Sequence, residues 1–214
     1  DASLDATYEL KTNPEQKLKV LAIIKLSNKA STDIGAIEFS TQDTADLQMT
    51  HVPKMERAAF TLAPGQSNLH RILFTLRTPN TSMSIKGSIK YALRTGGTNM
   101  VPFELVVPAS TFINPVVISK DDLGGIIKSA GASLVALSVS VPFSPEATTN
   151  VVKALNLTAV TGGSNRLFYG TNTNGVHVAV LTREKQAEGI LQVDLKCGDA
   201  GLASALSAEI SQLK

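Results

Sequence analysis

The chain has no tryptophan and a single cysteine, Cys197, among 214 residues, and aromatic residues make up only 5% of it. One thiol cannot close an internal disulfide, which excludes a disulfide-stapled scaffold and favours a reducing compartment. Long apolar runs are also missing: none approaches the roughly 20 residues that a membrane-spanning helix needs. The opening Asp1-Ala2-Ser3-Leu4-Asp5 carries neither the basic head nor the apolar stretch of a secretory signal. Charge of one sign is not in excess. With 20 basic and 18 acidic residues the formal net charge is +2, which argues against an obligate nucleic-acid binder.

The signatures of chemistry are equally sparse. His51, His70 and His177 fall in three separate segments, and none has a second His or Cys at metal-ligand spacing. No serine sits in a nucleophile elbow. The pairs Gly96-Gly97, Gly124-Gly125 and Gly162-Gly163 lack the Gly-Lys-Ser/Thr sequel or the GxGxxG context of a phosphate loop, and read as turns or a weakened helix. Cys197, close to Leu195 in a strand pattern, reads as a buried structural thiol. The expectation is a chain without catalytic activity, cofactor, metal or bound nucleotide.

What is present is a globular composition, 43% apolar and 18% charged, that changes character at Thr111-Phe112-Ile113-Asn114-Pro115. Before that stretch, period-two apolar segments recur about every ten residues, separated by turn residues. Residues 4–11 and 17–26 read as strands, the second with Leu18, Val20, Ala22, Ile24 and Leu26 on one side. Residues 34–40 follow, then a polar loop or edge at 42–46, and a short strand around Phe60 and Leu62. A turn at Pro64-Gly65-Gln66-Ser67-Asn68 leads to 69–76. At 84–94, Ile85, Ile89, Tyr91 and Leu93 alternate with Ser84, Lys86, Ser88, Lys90 and Arg94, and 101–107 follows the Gly96-Gly97 turn. Seven or eight such strands without a helix predict an immunoglobulin-like β-sandwich over residues 1–113.

After the change the period becomes mixed, predicting an α/β platform over residues 114–214 with an antiparallel sheet and about three helices. Ser119 and Asp122 form a capping box for a helix that turns Leu123, Ile126 and Ile127 inward. Ser144-Pro145-Glu146 reads as a cap, a first-turn proline and an acid that open a second helix. A third follows Asp199, its cap, with Leu202, Leu206, Ile210 and Leu213 as one stripe. Strands are expected at 134–141, 157–160, 166–170, 176–182 and 190–196, with Asn174-Gly175 as a hairpin turn.

Two surfaces stand out as candidates for binding. In Arg166-Leu167-Phe168-Tyr169 the adjacent rings point to opposite faces of a strand, so one of Phe168 and Tyr169 is expected to be exposed beside Arg166, unless a covering helix buries it. The alternative is the basic face of Lys86, Lys90 and Arg94, suited to acidic peptides or headgroups, or simply a solvated strand face. The sequons Asn80-Thr81-Ser82 and Asn156-Leu157-Thr158 keep open a second class, a secreted adhesion or ligand-binding sandwich module, although so short a pattern recurs by chance.

A sandwich followed by a smaller α/β platform resembles the appendage, or ear, of the large subunits of adaptor protein complexes. The ending Val193-Asp194-Leu195-Lys196-Cys197-Gly198-Asp199 with Leu202 and Leu206, together with Pro64-Gly65-Gln66-Ser67-Asn68 before Phe74-Thr75 and Lys86-Gly87, is similar to the delta subunit of adaptor protein complex 3. The resemblance implies a cytoplasmic, non-catalytic part of a coat on Golgi and endosomal membranes, touching the membrane only through its parent complex and serving transport toward lysosomes or vacuoles. It also implies protein partners, among them the HOPS tethering complex and the small sigma subunit of the same complex, and no nucleic acid. In related ears a platform pocket built on a tryptophan and arginines grips short aromatic-acidic peptides. The positions matching that pocket here are Ile127 for the tryptophan, Thr182 or Arg183 for one arginine, and Gln192 for the other. The departure implies docking of a folded partner on a surface formed by Phe168 or Tyr169 with Ile127, Arg166, Arg183 and Gln192.

Overall fold

The computed structural model describes residues 3–13, 16, 18–42, 59–94 and 96–213 in full and residues 47–51 as backbone. The expected polar loop at 42–46 lies outside the described residues except for Gln42, as do Lys17, Thr95 and the side chain of His51. The contacts divide the chain into two compact units, Asp1–Arg77 with Met83–Val107, and Thr78–Ser82 with Pro108–Lys214.

In the first unit the alternation of apolar and polar residues produces strands β1 (Leu4–Thr12), β2 (Lys19–Asn28), β3 (Ile34–Gln42), β4 (Leu47–His51), β5 (Phe60–Leu62), β6 (Ser67–Leu76), β7 (Met83–Leu93) and β8 (Thr98–Val107). They form two antiparallel sheets, ordered β1-β2-β6-β4 and β5-β3-β7-β8. With immunoglobulin letters these are A-B-E-D and C-F-G, with β5 added beside C, so the sandwich is immunoglobulin-like. Val20, Ala22, Ile24 and Leu26 of β2 are buried, as are Ile72 and Phe74 of β6 and Ile85, Ile89 and Tyr91 of β7. Each such burial contributes about 1.5–3 kcal/mol. Phe39 of β3 stacks on His70 of β6 with ring centroids 3.9 Å apart, joining the two sheets. Gly87 is required by contact: a Cβ there would lie 2.4 Å from the Ser40 carbonyl oxygen and 2.5 Å from the Phe103 ring.

The second unit takes up the chain again at Pro108, ahead of the expected division between residues 113 and 114, with a 3-10 turn at Ala109–Phe112 and then β9 (Ile113–Pro115). It continues through α1 (Lys120–Ala130), β10 (Val135–Pro142), α2 (Ala147–Ala154), β11 (Thr158–Ala159), β12 (Leu167–Asn172), β13 (His177–Lys185), β14 (Ile190–Cys197) and α3 (Ala200–Ser211). The sheet is antiparallel in the order β10-β14-β13-β12-β11, and β9 shares the β11 edge of β12. The Ser119 hydroxyl caps α1 by accepting from Asp122 N at 3.1 Å and donating to its carboxylate at 2.6 Å. Asp199 caps α3 by accepting from Leu202 N at 2.8 Å. The expected Ser144 cap is not formed. Ser144-Pro145-Glu146 makes a turn, in which Ala147 N donates to the Ser144 carbonyl, and α2 starts at Ala147, two residues later than expected, without a side-chain cap.

Period-two alternation gives the platform sheet two apolar faces. On one, Leu137, Val139, Phe168, Val178, Val180, Val193 and Leu195 pack with Val151 and Leu155 of α2 and Leu202, Leu206 and Ile210 of α3. On the other, Tyr169 and Ala179 pack with Leu123, Ile126 and Ile127 of α1. Helices therefore lie on both sides of the sheet. Among the described residues no helix is long and apolar enough to cross a membrane.

A groove beside the first platform helix

Among the described residues of this unit, α1 and the Val116 to Ile118 segment before it pack on the second face, around Tyr169 and Ala179 of β12 and β13. Further across, the same face carries Ala136 and Ser138 of β10, Arg183 of β13, and Gln192, Asp194 and Lys196 of β14, because odd positions of β13 and even positions of β10 and β14 point that way. Between helix and open sheet runs a groove of about 510 Å³, lined by Ile127, Leu167, Ala179 and Leu181 on the apolar side and by these polar residues on the other.

Asp194 organises the polar half. Its Oδ1 accepts from Ser138 Oγ and Gln192 Nε2, each at 2.8 Å, and Gln192 Nε2 also donates to Ser138 Oγ at 3.1 Å. Its Oδ2 lies 3.3 Å from Arg183 Nε. Burial by itself would raise the Asp194 pKa, but the hydrogen bonds from Ser138 and Gln192 and the charges of Arg183 and Lys185 outweigh it, and the carboxyl is held below its ordinary value. The groove thus has a fixed carboxylate at its centre, a guanidinium already engaged, and the Lys196 ammonium at its rim.

Three residues singled out in the sequence, Ile127, Arg183 and Gln192, meet here. Of Thr182 and Arg183, only Arg183 lines the groove, and Thr182 is fully buried on the opposite face. Arg166 stands apart in an exposed ion pair, 3.4 Å from Glu184. The expected exposed aromatic is corrected. Phe168 is buried under α2 and α3 and Tyr169 under α1, because the sheet has a helix on each side to receive its ring. The Tyr169 hydroxyl bonds His177 Nδ1, and burial raises its pKa. Ser138, Asp194 and Lys196 line the groove without having been singled out as binding residues in the sequence. Their signal was present in the strict alternation of β10 and β14, whose polar positions form a second face.

On the alternative basic face Lys86, Lys90 and Arg94 are all exposed, with Lys86 3.7 Å from Glu104 and Lys90 the cross-strand partner of Glu38. Both sequon asparagines are used internally: Asn156 Nδ2 donates to the Ile113 carbonyl at 2.6 Å, and Asn80 Oδ1 accepts from Asn172 Nδ2 at 2.7 Å. The buried Cys197 thiol has its pKa raised by burial, consistent with a structural role. Among the described residues there is no group of three or more His, Cys, Asp or Glu able to hold a metal ion.

No family model matches the chain. It is 26% identical over 218 residues to the AP-3 complex subunit delta of Dictyostelium discoideum, across 98% of this chain and 16% of that protein, so it spans under a fifth of the curated relative. Among solved structures, the GAE domain of GGA2p from Saccharomyces cerevisiae aligns with a TM-score of 0.43 and 10% identity, over 51% of this chain and 93% of that one. The yeast GGA1 GAE domain aligns with a TM-score of 0.41 and 17% identity, over 50% and 94%. Along nearly its whole length this chain, an immunoglobulin-like sandwich followed by an α/β platform, resembles the delta subunit of the AP-3 complex.

Proposed function

We propose that this chain is a non-catalytic, protein-binding appendage of a vesicle-coat adaptor complex, acting on the cytoplasmic side of Golgi and endosomal membranes in transport toward lysosomes or vacuoles. The observation that carries the reading is the convergence of Ile127, Arg183 and Gln192 on one groove, which joins the sequence resemblance to a surface able to bind. Its apolar wall offers an anchor site and its polar wall sets orientation. Phe168 and Tyr169 support this surface from the sheet interior, and Arg166 belongs to its surroundings. HOPS and the sigma subunit are the partners to examine.

The exposed Ala136 lines the groove. Ala136→Trp should obstruct it and weaken binding of purified HOPS or sigma subunit at least tenfold while leaving the melting temperature unchanged, and Arg183→Ser should weaken binding by as much while costing stability only the about 0–1 kcal/mol of one partly exposed ion pair. Binding that survives both substitutions would remove the groove from the reading, and absence of binding by the unaltered chain to either partner would remove the named partners.

A further inference from the structure

The outer face of the sheet β1-β2-β6-β4 has a pattern that its partner sheet lacks. Odd positions of β2 and β6 point outward, opposite the buried Val20, Ala22, Ile24, Ile72 and Phe74. Cross-strand pairing places Leu21 beside Leu73, Ile23 beside Arg71, and Lys25 beside Leu69, with Lys19 next to Thr75. Four aliphatic side chains therefore form a continuous stripe on what should be the solvated side of a sandwich. Leu69 is 46% exposed, and Leu21, Ile23 and Leu73 are partly exposed. A shallow depression at Lys25, Leu69 and Arg71 marks one end of the stripe, and Lys19 marks the other. The outward positions of β2 and β6 carry Lys19, Lys25 and Arg71 and no acid. The acids of this face, Asp5 and Glu9, are on β1, where Glu9 lies 3.5 Å from Lys11.

Aliphatic residues between cations on an open sheet face constrain what can cover them. The backbone groups of β2 and β6 bond within the plane of the sheet, so a ligand lying over the face meets side chains and an extended peptide there would find no ladder to join. A helix satisfies its own backbone and needs only side-chain contact. From Lys19 to Lys25 the stripe runs about 20 Å at roughly 3.3 Å per residue, the length of a helix of about 13 residues. Flanking carboxylates on such a helix would meet Lys19 and Lys25 at the two ends.

We infer that the outer face of β2 and β6 is a docking surface for an acidic amphipathic helix of a partner protein, with the helix lying over Leu21, Ile23, Leu69 and Leu73. The surface shares no residue with the platform groove, so the two are altered by different substitutions.

The probe is a synthetic 14-residue helix with leucines along one stripe and glutamates on both flanks, titrated into the whole chain by fluorescence anisotropy. It should bind, shift the methyl resonances of Leu21, Ile23, Leu69 and Leu73, and lose at least tenfold in affinity with Lys19→Glu plus Lys25→Glu or with Leu69→Ser. The same helix with lysine for glutamate should bind at least tenfold more weakly. Ala136→Trp should leave binding of the probe unchanged. Equal binding of the lysine helix, or indifference to Lys19→Glu plus Lys25→Glu, would overturn the inference. So would cosedimentation with phosphatidylserine vesicles in the absence of peptide binding, since the surface would then be a lipid contact.

Discussion

Glu209 joins three separate segments of the platform unit, and removing its carboxylate should loosen all of them. From a half-buried position on α3, its Oε1 accepts from Ala109 N at 2.7 Å and from Ser82 Oγ at 2.8 Å, while Oε2 accepts from Ser110 N at 3.3 Å. Ala109 and Ser110 are buried, so their N–H groups have no water to fall back on. A buried donor stripped of its acceptor costs about 1–3 kcal/mol, and hydrogen bonds to a charged group are the stronger kind. Ser82 Oγ, 3.3 Å from Ala109 N, is a substitute acceptor for one donor. Glu209→Ala should therefore destabilise the chain by about 3 kcal/mol, somewhat less than two full penalties. Glu209→Gln keeps an oxygen acceptor but loses the charge, and should cost about 1 kcal/mol. Urea denaturation followed by far-UV circular dichroism measures the loss, and hydrogen exchange at the amides of Ala109 and Ser110 locates it. If Glu209→Ala costs under about 0.5 kcal/mol, the range of an uninvolved surface substitution, or if those two amides exchange no faster, the clasp is not holding the turn.

Other substitutions test other parts of the structure. Asp199→Ala should cost about 1 kcal/mol through loss of the α3 cap, read as a lower melting temperature. Gly170→Ala should destabilise by about 1–3 kcal/mol, because its Cβ would lie 2.9 Å from the Asn114 carbonyl oxygen, a backbone atom that cannot swing aside. Phe168→Ala should cost about 3–5 kcal/mol, the value of a core ring, and a cost below about 1 kcal/mol would return that ring to the surface. Asp194 has a folded pKa below its ordinary value of 3.8, so its contribution to stability is fully present above that value and is lost as pH falls through the lower folded pKa. Asp194→Asn should accordingly flatten the acid limb of a stability profile below about pH 4 and lower stability at neutral pH. An unchanged acid limb would disconnect the Ser138–Gln192–Arg183 network from folding.

Where one period ran unbroken, the sequence was legible. Val20 to Leu26 and Ile85 to Tyr91 announce buried strand faces, and Ser119 and Asp199 announce helix starts, because alternation and capping are local properties. What was not legible depends on contacts distant in sequence. Whether Tyr169 is exposed depends on which side of the sheet α1 takes, and nothing in residues 120–130 states a side. The strand at Ile113 to Pro115 was not legible because three residues carry no period, and their strand character comes from pairing with Gly170 to Asn172. At the site, a likeness to arginine positions located Arg183 and Gln192. Asp194 became visible only once register set it across from Ser138.

The division of one edge of β12 between β9 and β11 bears on how copies of this chain behave in a crowded solution. Those two strands, of three and two residues, come from places some 40 positions apart and meet β12 at consecutive residues. A strand from a second copy approaching that border finds an interrupted row of amides and carbonyls, too short for cross-β growth, and must displace a segment anchored by the Asn156 amide before it can pair. The opposite border, β10, alternates exposed Ala136, Ser138 and Ser140 with partly buried aliphatics and ends in Pro142, a residue with no donor. Self-association by strand exchange should therefore begin at β10, and a charge placed at Ser140 is the economical way to suppress it.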